Sequence, residues 1–197
     1  MAVYFLIGAN HAFPANFALT YGVVTGLGFV LSRIMCIAIM PLVKFNFEKR
    51  EANIMAIASV GGHWIELLRI MPLFKGKNVT FVSNKASLAN TVSDYKFHTV
   101  PDASRSSVYK LVKCIVSVLG LILFLRPQVI ITTGAAPGLL GIFIGKILGI
   151  KTIWIDSIAN VDKLSLSGLI ALWTADKVYT QWEHLASPKV TYSGNIL

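Results

Sequence analysis

The chain has 197 residues, of which 55% are hydrophobic and only 14% charged, against about 25% charged in an ordinary soluble domain. That length suits one domain with some sequence to spare. The composition excludes a disordered chain, a collagen and a disulfide-framed miniprotein, and it argues against a plain cytosolic globule.

The net charge of +9, from 18 Lys and Arg against 9 Asp and Glu, fits nucleic acid, anionic lipid or a phosphorylated ligand. No zinc-ligand spacing, RNP-type aromatic set or Lys/Arg-rich block is present. No nucleic-acid partner, metal or cofactor is therefore expected. Cys36 and Cys114 lie in apolar stretches and read as buried thiols of a reducing compartment.

Residues 1–32 contain no Lys, Arg, Asp or Glu, and Arg33 alone precedes Lys44. Within the apolar stretch 13–43, residues 13–32 already match the roughly 20 residues a membrane helix needs. A secretory signal peptide would show a basic start and a small-residue cleavage site, and neither is found. Lys44, Lys49 and Arg50 follow the stretch directly. They predict a single-pass membrane protein with its body on the cytoplasmic side. Arg33 and Pro41 leave an in-plane hairpin as the alternative to a straight span, and Gly22 with Gly26 forms a single GxxxG match. The expected division is an anchor with its basic flank at 1–50 and a folded body at 51–197.

From Asn53 onward, short β-prone runs alternate with longer helical ones. The pattern predicts strands at 54–58, 78–82, 97–100, 128–132, 151–155 and 177–180, and helices at 63–74, 86–92, 106–125, 138–148 and 165–173. Such alternation predicts an α/β fold, a Rossmann-like parallel sheet with helices on both faces. Val129-Ile130-Ile131 and Ile153-Trp154-Ile155 are continuously apolar, as strands covered on both sides must be. Helix 106–125 ends in an uncharged run, 114–125, between Lys113 and Arg126. It reads either as a core helix or as one whose outer side meets a bilayer.

In open α/β sheets, ligands bind where strands end and helices begin. The first such loop reads Ser59-Val60-Gly61-Gly62-His63-Trp64-Ile65-Glu66. Its glycines permit close approach of a phosphate to backbone N–H groups at a helix N-terminus, with His63 facing the crevice and Glu66 one turn on. A turn with a dipole-favoured Glu is the plainer reading. The second loop, Thr132-Thr133-Gly134-Ala135-Ala136-Pro137-Gly138, suits either a ligand or a tightly packed crossover helix. In the third, Asp156, Ser157 and Asn160 offer hydrogen bonds to a sugar or diphosphate, while Asp156 can equally cap a helix or loop. Trp182 and Glu183 close the last strand, as a sugar or partner contact or as simple packing.

Taken in order, Ser-Val-Gly-Gly-His-Trp-Ile-Glu (59–66), Arg-Pro-Gln-Val-Ile-Ile-Thr-Thr-Gly-Ala (126–135) and Ile-Trp-Ile-Asp-Ser-Ile-Ala-Asn-Val (153–161) carry a family likeness. Leu-Ser-Leu-Ser-Gly (164–168), Thr-Ala-Asp-Lys-Val-Tyr-Thr-Gln-Trp-Glu (174–183) and a closing Ser-Gly-Asn-Ile-Leu extend it. Over 54–197 the chain resembles the membrane-anchor subunit of the two-chain N-acetylglucosaminyltransferase that acts second in lipid-linked oligosaccharide assembly. It is equally similar to the bacterial capsule and exopolysaccharide counterparts of that subunit.

The resemblance implies the N-terminal half of a GT-B glycosyltransferase, holding a polyprenyl-diphosphate-linked acceptor at the membrane. A separate chain would supply the UDP-sugar site. It implies catalytic roles for His63 and Glu66, phosphate or acceptor contacts from Ser59, Gly61, Gly62, Gly134, Ala135, Asp156, Ser157 and Asn160, and partner or sugar contacts from Trp182 and Glu183. Val60 stands where relatives often carry a smaller residue, and Asp156 where many carry Glu. N-acetylglucosamine, galactose and glucuronic acid all remain open as the sugar transferred. A non-catalytic scaffold that recruits the catalytic chain is the alternative. A dinucleotide-dependent oxidoreductase is disfavoured, because the first loop lacks a full G-x-G-x-x-G.

Overall fold

The computed structural model describes residues 52–103 and 107–196. The expected anchor, its basic flank and Cys36 lie outside them.

Alternation along the two central strands sets the architecture. In β1 (Ile54–Ala58) and β2 (Val79–Ser83), Ile54, Ala56, Ala58, Val79 and Phe81 enter one buried cluster while Met55, Ile57 and Val82 enter another. Successive side chains of a strand point to opposite faces, so both faces of this sheet are covered, as the apolar runs predicted. The described residues form a parallel seven-stranded sheet of order β3-β2-β1-β4-β5-β6-β7. Its other strands are β3 (Lys96–Thr99), β4 (Val129–Gly134), β5 (Lys151–Ile155), β6 (Lys177–Thr180) and β7 (Thr191–Tyr192). The predicted Rossmann-like α/β class is the one observed.

On one face lies α1 (Gly62–Arg69), which brings Trp64 and Leu67 into the Phe74–Phe81 cluster. The sequence predicted this helix through Phe74, but it stops at Ile70 and a 3-10 turn, Met71–Phe74, follows. Pro72 is the cause, since it has no N–H to donate and its ring crowds the carbonyl four residues back. The predicted helix 86–92 is likewise a 3-10 segment.

The other face carries α2 (Val108–Leu125), α3 (Ala135–Ile147) and α4 (Leu166–Thr174), with α3 touching both neighbours. In α2, Cys114, Val118 and Ile122 recur every fourth residue and are fully buried, while Val112, Val116, Leu123 and Phe124 are exposed. Among the described residues, α2 is the one helix long and apolar enough to cross a membrane. Its buried stripe instead fixes it along the sheet, which satisfies the core-helix reading on the inner side.

Helix α3 sits close to the sheet because glycines line its inner side. A Cβ on Gly138 would stand 2.0 Å from the Thr132 hydroxyl, and one on Gly145 would stand 2.7 Å from Ile130. The helix begins at Ala135, three residues before the predicted start, because Pro137 falls in the first turn, where no N–H is required. At its far end Lys146 pairs with Asp176, whose other oxygen accepts from the Thr152 N–H at 2.9 Å and hydroxyl at 3.0 Å. That carboxylate joins the last turn of α3 to β5 and to the start of β6.

Two predictions follow from this packing. Gly138→Ala should destabilise the body by about 1–3 kcal/mol, the usual range for overpacking. Gly120→Ala, mid-α2 with open space around it, should leave thermal stability unchanged or raise it by up to about 1 kcal/mol. Differential scanning fluorimetry of the two variants reads both. For Asp176, burial pushes the carboxyl upward, but bonds from Lys146 and Thr152 outweigh it and hold the group below the ordinary aspartate value. Its stabilising effect is then fully present above about pH 4 and is lost as pH falls through the depressed value. Asp176→Asn should therefore lower Tm at pH 7, with the gap from wild type closing as the pH drops below about 4.

Candidate functional site

The strand order reverses direction between β1 and β4, and in open parallel sheets the crevice at such a switch point receives ligands. The first two sequence-predicted loops, Ser59–Gly62 after β1 and Gly134–Ala136 after β4, flank this crevice. A register irregularity shapes it. Ile57 pairs with Thr132, but Ala58 pairs with Gly134. Thr133 is thus the extra residue of a bulge, a device that re-aims a residue out of the ladder.

Freed from the ladder, Thr133 bonds His63 twice. Its hydroxyl donates to the His63 carbonyl at 2.6 Å, and its own carbonyl lies 3.0 Å from His63 Nδ1. A carbonyl only accepts, so Nδ1 carries the hydrogen, and the neutral ring keeps its lone pair on Nε2. The ring is 33% exposed, and Nε2 makes no hydrogen bond among the described residues. Gly134 lies against the ring: a Cβ there would stand 2.6 Å from both Cε1 and Nδ1, and φ is +135°. Next to it, Ala135 has φ +66°, a left-handed conformation that costs an L-residue about 1–2 kcal/mol.

The two helices that start at this crevice share another property. Helix α1 begins after Gly61 and α3 after Gly134, and neither has a side-chain cap. By contrast, Ser107 caps α2 and Ser165 caps α4. The first N–H groups of a helix have no partner within it, so the crevice receives two uncapped, electropositive helix ends. The loop after β1 is held from outside by Asn84, whose Oδ1 accepts from the Val60 N–H at 2.8 Å. Asn84 also donates to Asp102.

Glu66 is 4% exposed, one turn beyond His63. Its Oε1 accepts from the Ser157 hydroxyl at 2.7 Å and from the Ile158 N–H at 3.0 Å. Three strand-end loops therefore converge on His63, Glu66, Thr133, Gly134 and Ser157.

Of the two readings open for Asp156, the geometry is that of a loop and helix support. It is 1% exposed, beneath the third loop instead of on its surface. Its oxygens accept from Trp154 Nε1, the Ser165 hydroxyl and N–H, and Asn160 Nδ2. Asn160 Nδ2 is 3.2 Å from the Asp156 oxygen it donates to. Gln181 braces the same loop, donating to the Asp156 carbonyl and accepting from the Ile196 N–H. Trp182 donates to the Ile158 carbonyl at 2.8 Å. Glu183, exposed at the start of a short 3-10 turn, makes no side-chain hydrogen bond or ion pair to the crevice loops among the described residues. The sequence places Thr133 and Gln181 within candidate segments but gives neither a role of its own. For Thr133 the available signal was a polar pair, Thr132-Thr133, ending an apolar strand.

Comparison with known proteins gives the family and the fold. The family model described as "Oligosaccharide biosynthesis protein Alg14 like" matches residues 54–196. A Candida albicans protein named UDP-N-acetylglucosamine transferase subunit ALG14 is 32% identical, covering 75% of this chain and 80% of that one. A Debaryomyces hansenii protein of the same name is 29% identical, covering 71% and 73%. Among solved structures, MurG of Acinetobacter baumannii superposes with a TM-score of 0.60 at 14% identity, over 72% of this chain and 45% of that one. The UDP-N-acetylglucosamine 2-epimerase of Rickettsia bellii superposes with a TM-score of 0.57 at 14% identity, over 75% and 46%. The chain thus spans less than half of each of those structures, and the likeness is one of fold, the Rossmann-like half of a GT-B architecture. With the family model covering nearly the whole body and the yeast relatives agreeing along most of their own length, this chain belongs to the Alg14-like family of oligosaccharide biosynthesis proteins.

Proposed function

We propose that this chain is the acceptor-binding, membrane-attached subunit of an inverting glycosyltransferase. A polyprenyl-diphosphate-linked sugar lies in the β1/β4 crevice, and a second, separate chain brings the UDP-sugar. The observation that carries this reading is the pair of uncapped helix N-termini meeting at one oriented imidazole. Two electropositive helix ends suit the two phosphates of a diphosphate, with Ser59, Gly61, Gly62, Gly134 and Ala135 lining the approach. An imidazole whose Nε2 lone pair is free suits removal of a proton from a sugar hydroxyl. The name "subunit" carried by the yeast relatives supports a partner chain, and their naming favours UDP-N-acetylglucosamine as the donor.

The chemistry divides between the walls of the cleft. The acceptor hydroxyl gives its proton to His63 Nε2 while its oxygen attacks the anomeric carbon of the donor sugar. The bond from that carbon to the nucleoside diphosphate breaks, and the electron pair leaves with the diphosphate. This chain orients the acceptor, holds its diphosphate and takes the proton.

Membrane attachment is supported by the outer side of α2, α3 and α4. Tyr109, Val112, Val116, Phe124, Phe143 and Trp173 are all exposed there. From Ala103 to Ile155 the sequence contains no Asp or Glu but six Lys and Arg. An apolar face free of carboxylates and flanked by cations suits an anionic bilayer surface. In this arrangement residues 1–50 form the single-pass anchor and 51–197 the body on the cytoplasmic side.

Purification from membranes should recover the chain with a second, soluble polypeptide. The pair should transfer N-acetylglucosamine from the UDP-sugar to a polyprenyl-diphosphate-linked acceptor, and this chain alone should not. In that complex His63→Ala should lower kcat by about 100-fold or more; a near-wild-type rate would remove His63 as the base. Trp173, 81% exposed on α4, reports on the bilayer. In nanodiscs containing brominated lipid its fluorescence should be quenched relative to a Trp173→Phe control, and an unquenched signal would detach this face from the membrane.

A further inference from the structure

Glu66 carries a feature that loop support does not explain. Its Oε1 has two donors, yet Oε2 is sealed from solvent and has no hydrogen-bond partner among the described residues. A buried carboxylate oxygen without a donor is unfavourable, and a merely structural pin would need only the atom already engaged. His63 Nδ1 lies 4.0 Å from Oε2. That nitrogen now donates to the Thr133 carbonyl.

We propose that Glu66 is a positioning residue for His63. Ser157 and Ile158 hold Oε1 so that Oε2 stands beside the ring and receives it when the imidazole becomes charged. The inference rests on the reading of His63 as the base. A neutral ring needs only the Thr133 carbonyl to fix its tautomer. Once the acceptor proton has moved to Nε2, the ring is a cation in a partly dry site, and a facing carboxylate stabilises it. A shift of about 1 Å brings Nδ1–H within hydrogen-bond reach of Oε2, the kind of tightening that catalytic contacts undergo when substrate binds.

In this step no proton passes to Glu66. The acceptor proton rests on the ring, Nδ1–H only turns toward the carboxylate, and the leaving electron pair departs on the nucleoside diphosphate. Asp156, the other buried carboxylate of the third loop, is engaged on both oxygens by Trp154, Asn160 and Ser165. The same side chain thereby couples the loop at Ser157 to the state of the base, so that disturbing one moves the other.

The test is a double-mutant cycle in the assembled two-chain enzyme, with Glu66→Gln, His63→Ala and both together. The amide oxygen of Gln can still accept from Ser157 and Ile158, while an uncharged NH2 that cannot accept from Nδ1–H replaces Oε2. Glu66→Gln should lower kcat by about 10–100-fold with the acceptor KM nearly unchanged, and should cost nothing further in the His63→Ala background. Glu66→Asp, which keeps the charge one methylene further back, should fall between wild type and Gln; the same cycle run with it carries the test should Glu66→Gln fail to assemble. An unchanged kcat for Glu66→Gln, an Asp variant slower than Gln, or an equal loss with and without His63 would overturn the proposal and leave Glu66 as a loop pin. The His63→Ala arm reports separately on the base itself.

Discussion

A single misalignment between two neighbouring strands organises the crevice. Where β1 and β4 slip by one residue, Thr133 leaves the ladder and turns both its hydroxyl and its carbonyl to His63. The reciprocal bonds fix the backbone and the ring of the same residue at once. Gly134 then has to be a glycine, because the ring occupies the space a Cβ would need. The strained Ala135 follows directly, and strain of this kind persists only where surrounding contacts over-determine it. The first helical turn, the ring tautomer and the approach to two helix N-termini all depend on that slip.

The two faces of the sheet serve different ends. The α1 face is closed by aromatic packing, with Trp64, Phe74, Phe81, Tyr95 and Phe97 meeting edge to face. The opposite face is built from three apolar helices whose inner sides, including the glycine stripe of α3, satisfy the core. Their outer sides remain apolar. Lys189 lies over the exposed Trp173 ring, at 4.6 Å, a cation beside an aromatic surface. The proposed acceptor crevice at the strand ends and an apolar flank on one layer are compatible because they use different edges of the same sheet.

The parallel sheet was legible because a strand covered on both faces must be continuously apolar, and the short runs at Val129–Ile131 and Ile153–Ile155, rich in β-branched residues and alternating with longer helical segments, fit that pattern. Boundaries were less legible. Pro72 ended α1 early, and Pro137, legible as an early-helix proline, sits inside the first turn of α3 instead of just before it. The two-residue β7 left no pattern to find. Within the site, Gly61, Gly62 and His63 were readable because glycine next to histidine at a strand end is a local signal. Thr133 was not, since its role comes from the register of two strands distant in sequence. Asp156 shows the converse limit. An acid after a strand reads the same whether it faces a ligand or, as here, turns beneath the loop to hold Trp154 and Ser165.

The account stands on the lipid-linked diphosphate, not the nucleotide, occupying the β1/β4 crevice. Photo-crosslinking of the full-length protein in membranes, with a diazirine-bearing polyprenyl-diphosphate sugar and peptide mapping, examines this directly. Label should fall on the peptides that contain Gly61-Gly62-His63 and Gly134-Ala135, and excess UDP-N-acetylglucosamine should not displace it. Label elsewhere on the chain, or displacement from these loops by the UDP-sugar, would contradict the assignment.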